Sequence, residues 1–101
     1  MKKKQVSLLK LRKSIESLLK DWESQGFDAE SINQGCCSFF ANAIKKQYPE
    51  ITVFWNSEME DDPYGELIHC FIYYKGLYFD SEMIYGVSYW MDLPIFERIS
   101  G

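Results

Sequence analysis

The chain has a single histidine, His69, and only three cysteines, Cys36, Cys37 and Cys70. No Cys-x-x-Cys pair exists, and adjacent cysteines do not easily bind one ion together. A zinc site from these residues is therefore not expected. Lys and Arg are absent between Lys46 and Lys75. The acidic stretch "EMEDDPYGE" in that gap lacks the EF-hand spacing, so calcium is not expected there. No apolar run approaches the length of a membrane span. Leu8 to Leu19 is interrupted by Lys10, Arg12, Lys13, Ser14 and Glu16, so it forms no signal-peptide core. Few cysteines and no export signal predict a reduced, cytoplasmic setting without a disulfide scaffold.

What is present is a folding composition. The 101 residues are 47% hydrophobic and 17% aromatic, which excludes a disordered chain and fits one small domain. The net charge of -4 argues against general nucleic-acid binding. The charge is uneven. Lys2, Lys3, Lys4, Lys10, Arg12, Lys13 and Lys20 face a single Glu16 in the first twenty residues, whereas Glu58, Glu60, Asp61, Asp62 and Glu66 cluster later. The plain expectation is a solvated helix face and a solvated loop.

The spacing predicts an amphipathic helix over 5–25, within an N-terminal segment 1–26. Leu8, Leu11, Ile15, Leu18 and Trp22 recur at steps of three and four, and Gly26 ends the pattern. Packing on its own domain is the favoured use of that stripe, with a dimer through this helix as the alternative. A connector spans 27–34, and a second helix is expected from about Cys36 to Gln47. "ITVFW" reads as a buried strand, and "LIHCFIYY", "KG", "LYFD" as a hairpin whose turn uses Gly76 at positive φ. After Asp80 the pattern weakens, with a break at Gly86 and a short helix near 88–92. The fold class is α+β: two helices on a small antiparallel sheet of three or four strands.

The chemistry gathers at "NQGCCSFFANAI". Cys37 falls in the first turn of a predicted helix, where unpaired N–H groups and the helix dipole favour a thiolate. A two-residue hairpin loop pairs Tyr74 with Leu77 and Phe71 with Asp80. His69 then shares a face with Asp80, roughly 7–8 Å away along the diagonal. The carboxylate fixes the imidazole tautomer while the other ring nitrogen faces Cys37, as acyl-transfer sites require. Taken singly, Cys37 reads as a buried thiol, His69 as a core histidine and Asp80 as a turn residue. Cys36 and Cys70 read as packing residues.

"GCCSFFA" (35–41), "HCFIYYKGLYFD" (69–80) and "YGVSYWMDLPIF" (85–96) follow in order. Together they resemble small bacterial and phage proteins of the papain-like cysteine peptidase superfamily, which includes NlpC-like and transglutaminase-like enzymes. The resemblance covers residues 33–96. It implies a papain-like core with Cys37 as nucleophile, His69 as base and Asp80 as orienter. It implies a thiol hydrolase or acyltransferase acting on a peptide or protein substrate, without a cofactor. A glutamine before the cysteine helps form the oxyanion hole in papain, and Gln34 and Asn33 are the nearest counterparts; the Cys37 backbone N–H is a further donor. The alternative is a catalytically silent module of the same fold, a phage-type inhibitor or accessory protein working through protein contacts.

Overall fold

The structure is a computed structural model that describes residues 5–65 and 67–100. Lys2, Lys3, Lys4 and Glu66 lie outside the described residues. The chain forms a compact α+β domain. Helices α1 (Leu8–Glu23), α3 (Cys37–Gln47) and α4 (Pro94–Ser100) accompany strands β1 (Thr52–Trp55), β2 (Cys70–Tyr74), β3 (Leu77–Asp80) and β4 (Met83–Val87). The four strands make one antiparallel sheet in chain order, a meander.

Helix α1 begins where its cap dictates. The Ser7 hydroxyl accepts from the Lys10 N–H at 3.1 Å, so the helix starts at Leu8 and not at residue 5. Its stripe is packed within the chain: Leu11 and Ile15 are fully buried, and Leu8, Leu18 and Trp22 pack against the same cluster. A dimer through α1 would need a different face. On α3, Phe40, Ala41 and Ile44 turn inward as the helical spacing requires. These residues meet Cys70, Ile72, Tyr74 and Phe79 from one face of the sheet. The opposite face carries Phe71 and Tyr78, covered by Trp90, Leu93 and Phe96. Both faces are therefore buried, which fits the near-continuous apolar sequence of β2.

The β2–β3 register is the one the turn implies: Tyr74 opposite Leu77, Tyr73 opposite Tyr78, Ile72 opposite Phe79. Lys75 and Gly76 both have positive φ, 49° and 81°, which gives the twist a two-residue hairpin favours.

The sequence reading needs correction at four places. The segment 27–34 is mostly helical rather than a connector. Asp28 caps a short turn, α2 (Ala29–Ser31), which runs into a π-turn at Ile32–Cys36. Strand β2 starts at Cys70, so His69 stands just before it and not mid-strand. Gly86 lies inside β4, an element the sequence pattern hid. Its φ of 88° and a Phe79 ring atom 2.7 Å from where a Cβ would sit make glycine obligatory there. The helix foreseen near 88–92 is a 3-10 turn at Trp90–Asp92, followed by α4.

The acidic loop is exposed at Glu58, Glu60 and Asp61, as expected, and it is also tied to the rest of the domain. Tyr89 Oη and Trp90 Nε1 donate to the two oxygens of Asp61 at 2.6 and 3.0 Å. Asp62 accepts from the Tyr64 N–H and from Asn56. No helix among the described residues is long and apolar enough to cross a membrane.

Candidate active site

Three ends of secondary structure converge. The start of α3 supplies Cys37, the entry to β2 supplies His69 and the end of β3 supplies Asp80. Phe71 and Asp80 fall on the same sheet face by strand alternation, and His69 joins them two residues before Phe71. The His69 ring packs at 5.5 Å from Phe96 and 6.0 Å from Phe71.

His69 is fully buried and Asp80 nearly so. His69 Nε2 lies 3.0 Å from Asp80 Oδ2. The carboxylate accepts, so Nε2 carries the proton and the neutral tautomer leaves a lone pair on Nδ1. Nδ1 is the one buried side-chain nitrogen or oxygen with no hydrogen-bond partner among the described residues. An orphaned buried acceptor is costly unless a partner is near. Cys37 is the titratable neighbour of the ring beside Asp80, and ring and thiol shift one another's ionisation.

Burial opposes a Cys37 thiolate. The His69 ring and the N–H groups of Cys70 and Ser38 outweigh that cost and hold the thiol below its ordinary 9.0. The Cys70 N–H reaches Sγ at 3.3 Å. Burial likewise opposes a charged His69, but Asp80 and Cys37 outweigh it and lift the imidazole from 6.5 to about 9. The two shifts share one direction: each moves its group toward a thiolate–imidazolium pair. Cys70 is the contrast. Burial, with the Cys37 and Glu58 charges, pushes its thiol up to about 12. All three cysteines are free, and Cys36 and Cys37 are partly exposed.

The sequence position accounts for part of the Cys37 shift. Cys36, with φ of -123° and ψ of 17°, caps α3, and the Ser38 N–H in the first turn of that helix favours the thiolate. The larger contributions come from the His69 ring and the Cys70 N–H, which the helix start does not supply.

Asn33 does not serve as a free donor at the thiol. It is buried, its Nδ2 donates to Glu82 Oε2 at 2.8 Å, and its Oδ1 lies 2.9 Å from the Ser81 hydroxyl. Gln34 is exposed, and its amide makes one long contact of 3.4 Å with Glu30. It borders a depression of about 280 Å³ with Leu67, Ile68 and Ile95.

Two supporting residues escaped the sequence reading. Asn56 is fully buried beyond β1, and its Oδ1 accepts from the His69 N–H at 2.7 Å. Its own N–H donates to the His69 carbonyl at 3.0 Å, and its Nδ2 donates to the Leu67 carbonyl at 2.8 Å. Asn56 thus fixes the backbone of His69 where strand pairing ends. The Glu82 N–H donates to Asp80 Oδ1 at 2.9 Å, which orients the carboxylate. A polar residue closing an apolar run was the only sequence signal for Asn56; for Glu82 the hairpin register gave only a place opposite His69, with no role. No group of three or more His, Cys, Asp or Glu among the described residues is arranged to hold a metal ion.

No family model matches this chain, and neither a curated protein nor a solved structure matches it. The site is therefore read from its own geometry.

Proposed function

We propose that the chain is a papain-like thiol enzyme, a hydrolase or acyltransferase acting on amide bonds of a peptide or protein. One observation carries the reading: the buried His69 ring has Asp80 on one nitrogen and its other nitrogen unpartnered, and the ionisations of His69 and Cys37 both move toward the ion pair. A packing cysteine behaves as Cys70 does; Cys37 shifts the other way.

In this reading the Cys37 thiolate attacks the amide carbonyl carbon and an S–C bond forms. As the C–N bond breaks, the His69 imidazolium gives its proton from Nδ1 to the leaving amine. Water or an amine then attacks the thioester, its proton passes to His69, and the S–C bond breaks to restore thiolate and imidazolium. Asp80 holds Nε2–H throughout and keeps Nδ1 toward the sulfur. Gln34 is the side chain assigned to the oxyanion, since Asn33 is already engaged.

The test is the pH profile of iodoacetamide labelling, read site by site by mass spectrometry. Cys37 should label well below the pH at which an ordinary thiol ionises, and His69→Ala should abolish that advantage. An ordinary profile unchanged by His69→Ala would exclude the enzyme and leave the silent binding module. A screen over peptide and isopeptide amides then separates cleavage from transfer.

A further inference from the structure

We propose that Glu82 is a positioning residue of this site, joining the segment that carries Cys37 to the turn that carries Asp80. The proposal rests on the thiol-enzyme reading of Cys37.

The observations form a closed chain of contacts. The Glu82 backbone N–H donates to Asp80 Oδ1, while Asp80 Oδ2 holds His69. The Glu82 side chain turns the other way. Its Oε2 accepts from Asn33 Nδ2 at 2.8 Å, and Asn33 belongs to the π-turn that leads into Cys37. The Ser81 hydroxyl lies between Asn33 Oδ1 at 2.9 Å and the Ala29 carbonyl at 2.7 Å, tying the same two segments a second time. One residue therefore touches the orienter through its backbone and the nucleophile's segment through its side chain.

A carboxylate in that place needs its charge answered. Arg98 of α4 does this in fork geometry, Nη1 to Oε1 at 2.8 Å and Nη2 to Oε2 at 3.0 Å. Such bidentate pairs add orientation as well as energy. The Glu82 side chain is 14% exposed, against 39% for Arg98. The joint is thus largely shielded from water, with Arg98 closing it from outside. Glutamine at 82 would keep one acceptor and set an NH2 group against the donors of Asn33 or Arg98. Alanine would remove the joint and leave the Asn33 amide unpaired.

The consequence is geometric. Catalytic groups need placement to within roughly 0.5 Å, and displacement of about 1 Å costs on the order of a hundredfold. Without the joint, the Ser81 hydroxyl is the remaining side-chain tie described between the β3–β4 turn and the segment leading into Cys37.

The test uses the full chain, with Glu82→Ala, Glu82→Gln and Asp80→Asn beside the wild type. Two quantities are read: the Cys37 iodoacetamide rate against pH, and the His69 ring titration by NMR. Glu82→Ala should lower the rate at pH 6 by about tenfold or more and lower the His69 midpoint. Glu82→Gln should show a smaller shift in the same direction, and it decides alone if the alanine variant fails to fold. If these variants lose stability but keep the wild-type pH profile, Glu82 is only structural and the proposal falls. If they superimpose on the wild type while Asp80→Asn shifts, the proposal falls and the thiol-enzyme reading stands. If wild-type Cys37 itself titrates as an ordinary thiol, the reading beneath it has failed.

Discussion

Asp80→Asn is the most informative single change, because Asp80 acts on Cys37 only through His69. The rise of His69 from 6.5 to about 9 corresponds to ~3 kcal/mol in favour of the charged ring, net of the burial that opposes it. Asp80 is the largest of the favourable contributions. Asparagine keeps the shape and can still accept from Nε2–H, but it removes the charge. Burial then prevails, the ring becomes neutral at neutral pH, and Cys37 loses the cation that holds its proton off. At pH 6, about one in a thousand ordinary thiols with the reference value of 9.0 is ionised. The ion pair can therefore raise the thiolate fraction by at most about a thousandfold. The weaker nucleophilicity of an acidic thiol takes back roughly half of that advantage on a logarithmic scale. The ceiling on the wild-type labelling advantage is thus about thirtyfold at pH 6. Asp80→Asn should remove most of it, with little change at pH 10, where both proteins carry thiolate. Equal rates for the two proteins at pH 6 would refute the relay from Asp80 through His69 to Cys37.

The same pair sets the pH dependence of folding. His69, raised in the fold, contributes stability present below 6.5 and lost as pH rises through about 9; Cys37, lowered in the fold, contributes stability present above 9.0 and lost as pH falls through its folded value. As pH rises from 6.5 to about 9 the His69 contribution is lost, and below 9.0 the Cys37 contribution works against that loss, so Cys37→Ser should steepen the fall of the urea midpoint over this range. Asn56→Ala strands the His69 N–H and the Leu67 carbonyl and should cost about 3 kcal/mol in chemical denaturation, with faster amide exchange at His69. Gly86→Ala meets the Phe79 ring at positive φ and should lower stability by about 2 kcal/mol. Gly35→Ala meets nothing within 4 Å and should stabilise the chain by about 0.5 kcal/mol.

The sequence revealed what depends on local rules. Gly76 set the hairpin turn, the turn set the register, and the register brought His69 and Asp80 to one face. The stripe on α1 and the inward face of α3 followed from helical spacing. What stayed hidden depends on partners distant in the chain. Asp61 looks like any acid of a solvated loop until Trp90 and Tyr89 arrive to donate to it. Asn56 looks like a loop residue until β2 ends opposite it and leaves the His69 backbone in need of partners. Asn33 seemed an oxyanion donor because only its distance from Cys37 was visible, not Glu82. Strand β4 was masked by Gly86, a residue that ordinarily weakens a strand and here makes room for Phe79.

The π-turn before Cys37 works as a phase shifter. Each residue advances an α-helix by about 100°, so one residue more or fewer between Asn33 and Cys37 would rotate the thiol about a quarter turn relative to the Glu82 anchor. The wide turn lets Asn33 face the β3–β4 turn while Cys37 faces the entry of β2. Deleting one residue there could leave a regular, stable helix and still carry the sulfur away from His69. Foldedness and reactivity are thus separable at this one point in the chain, and a healthy circular dichroism spectrum would say nothing about whether the thiol is live.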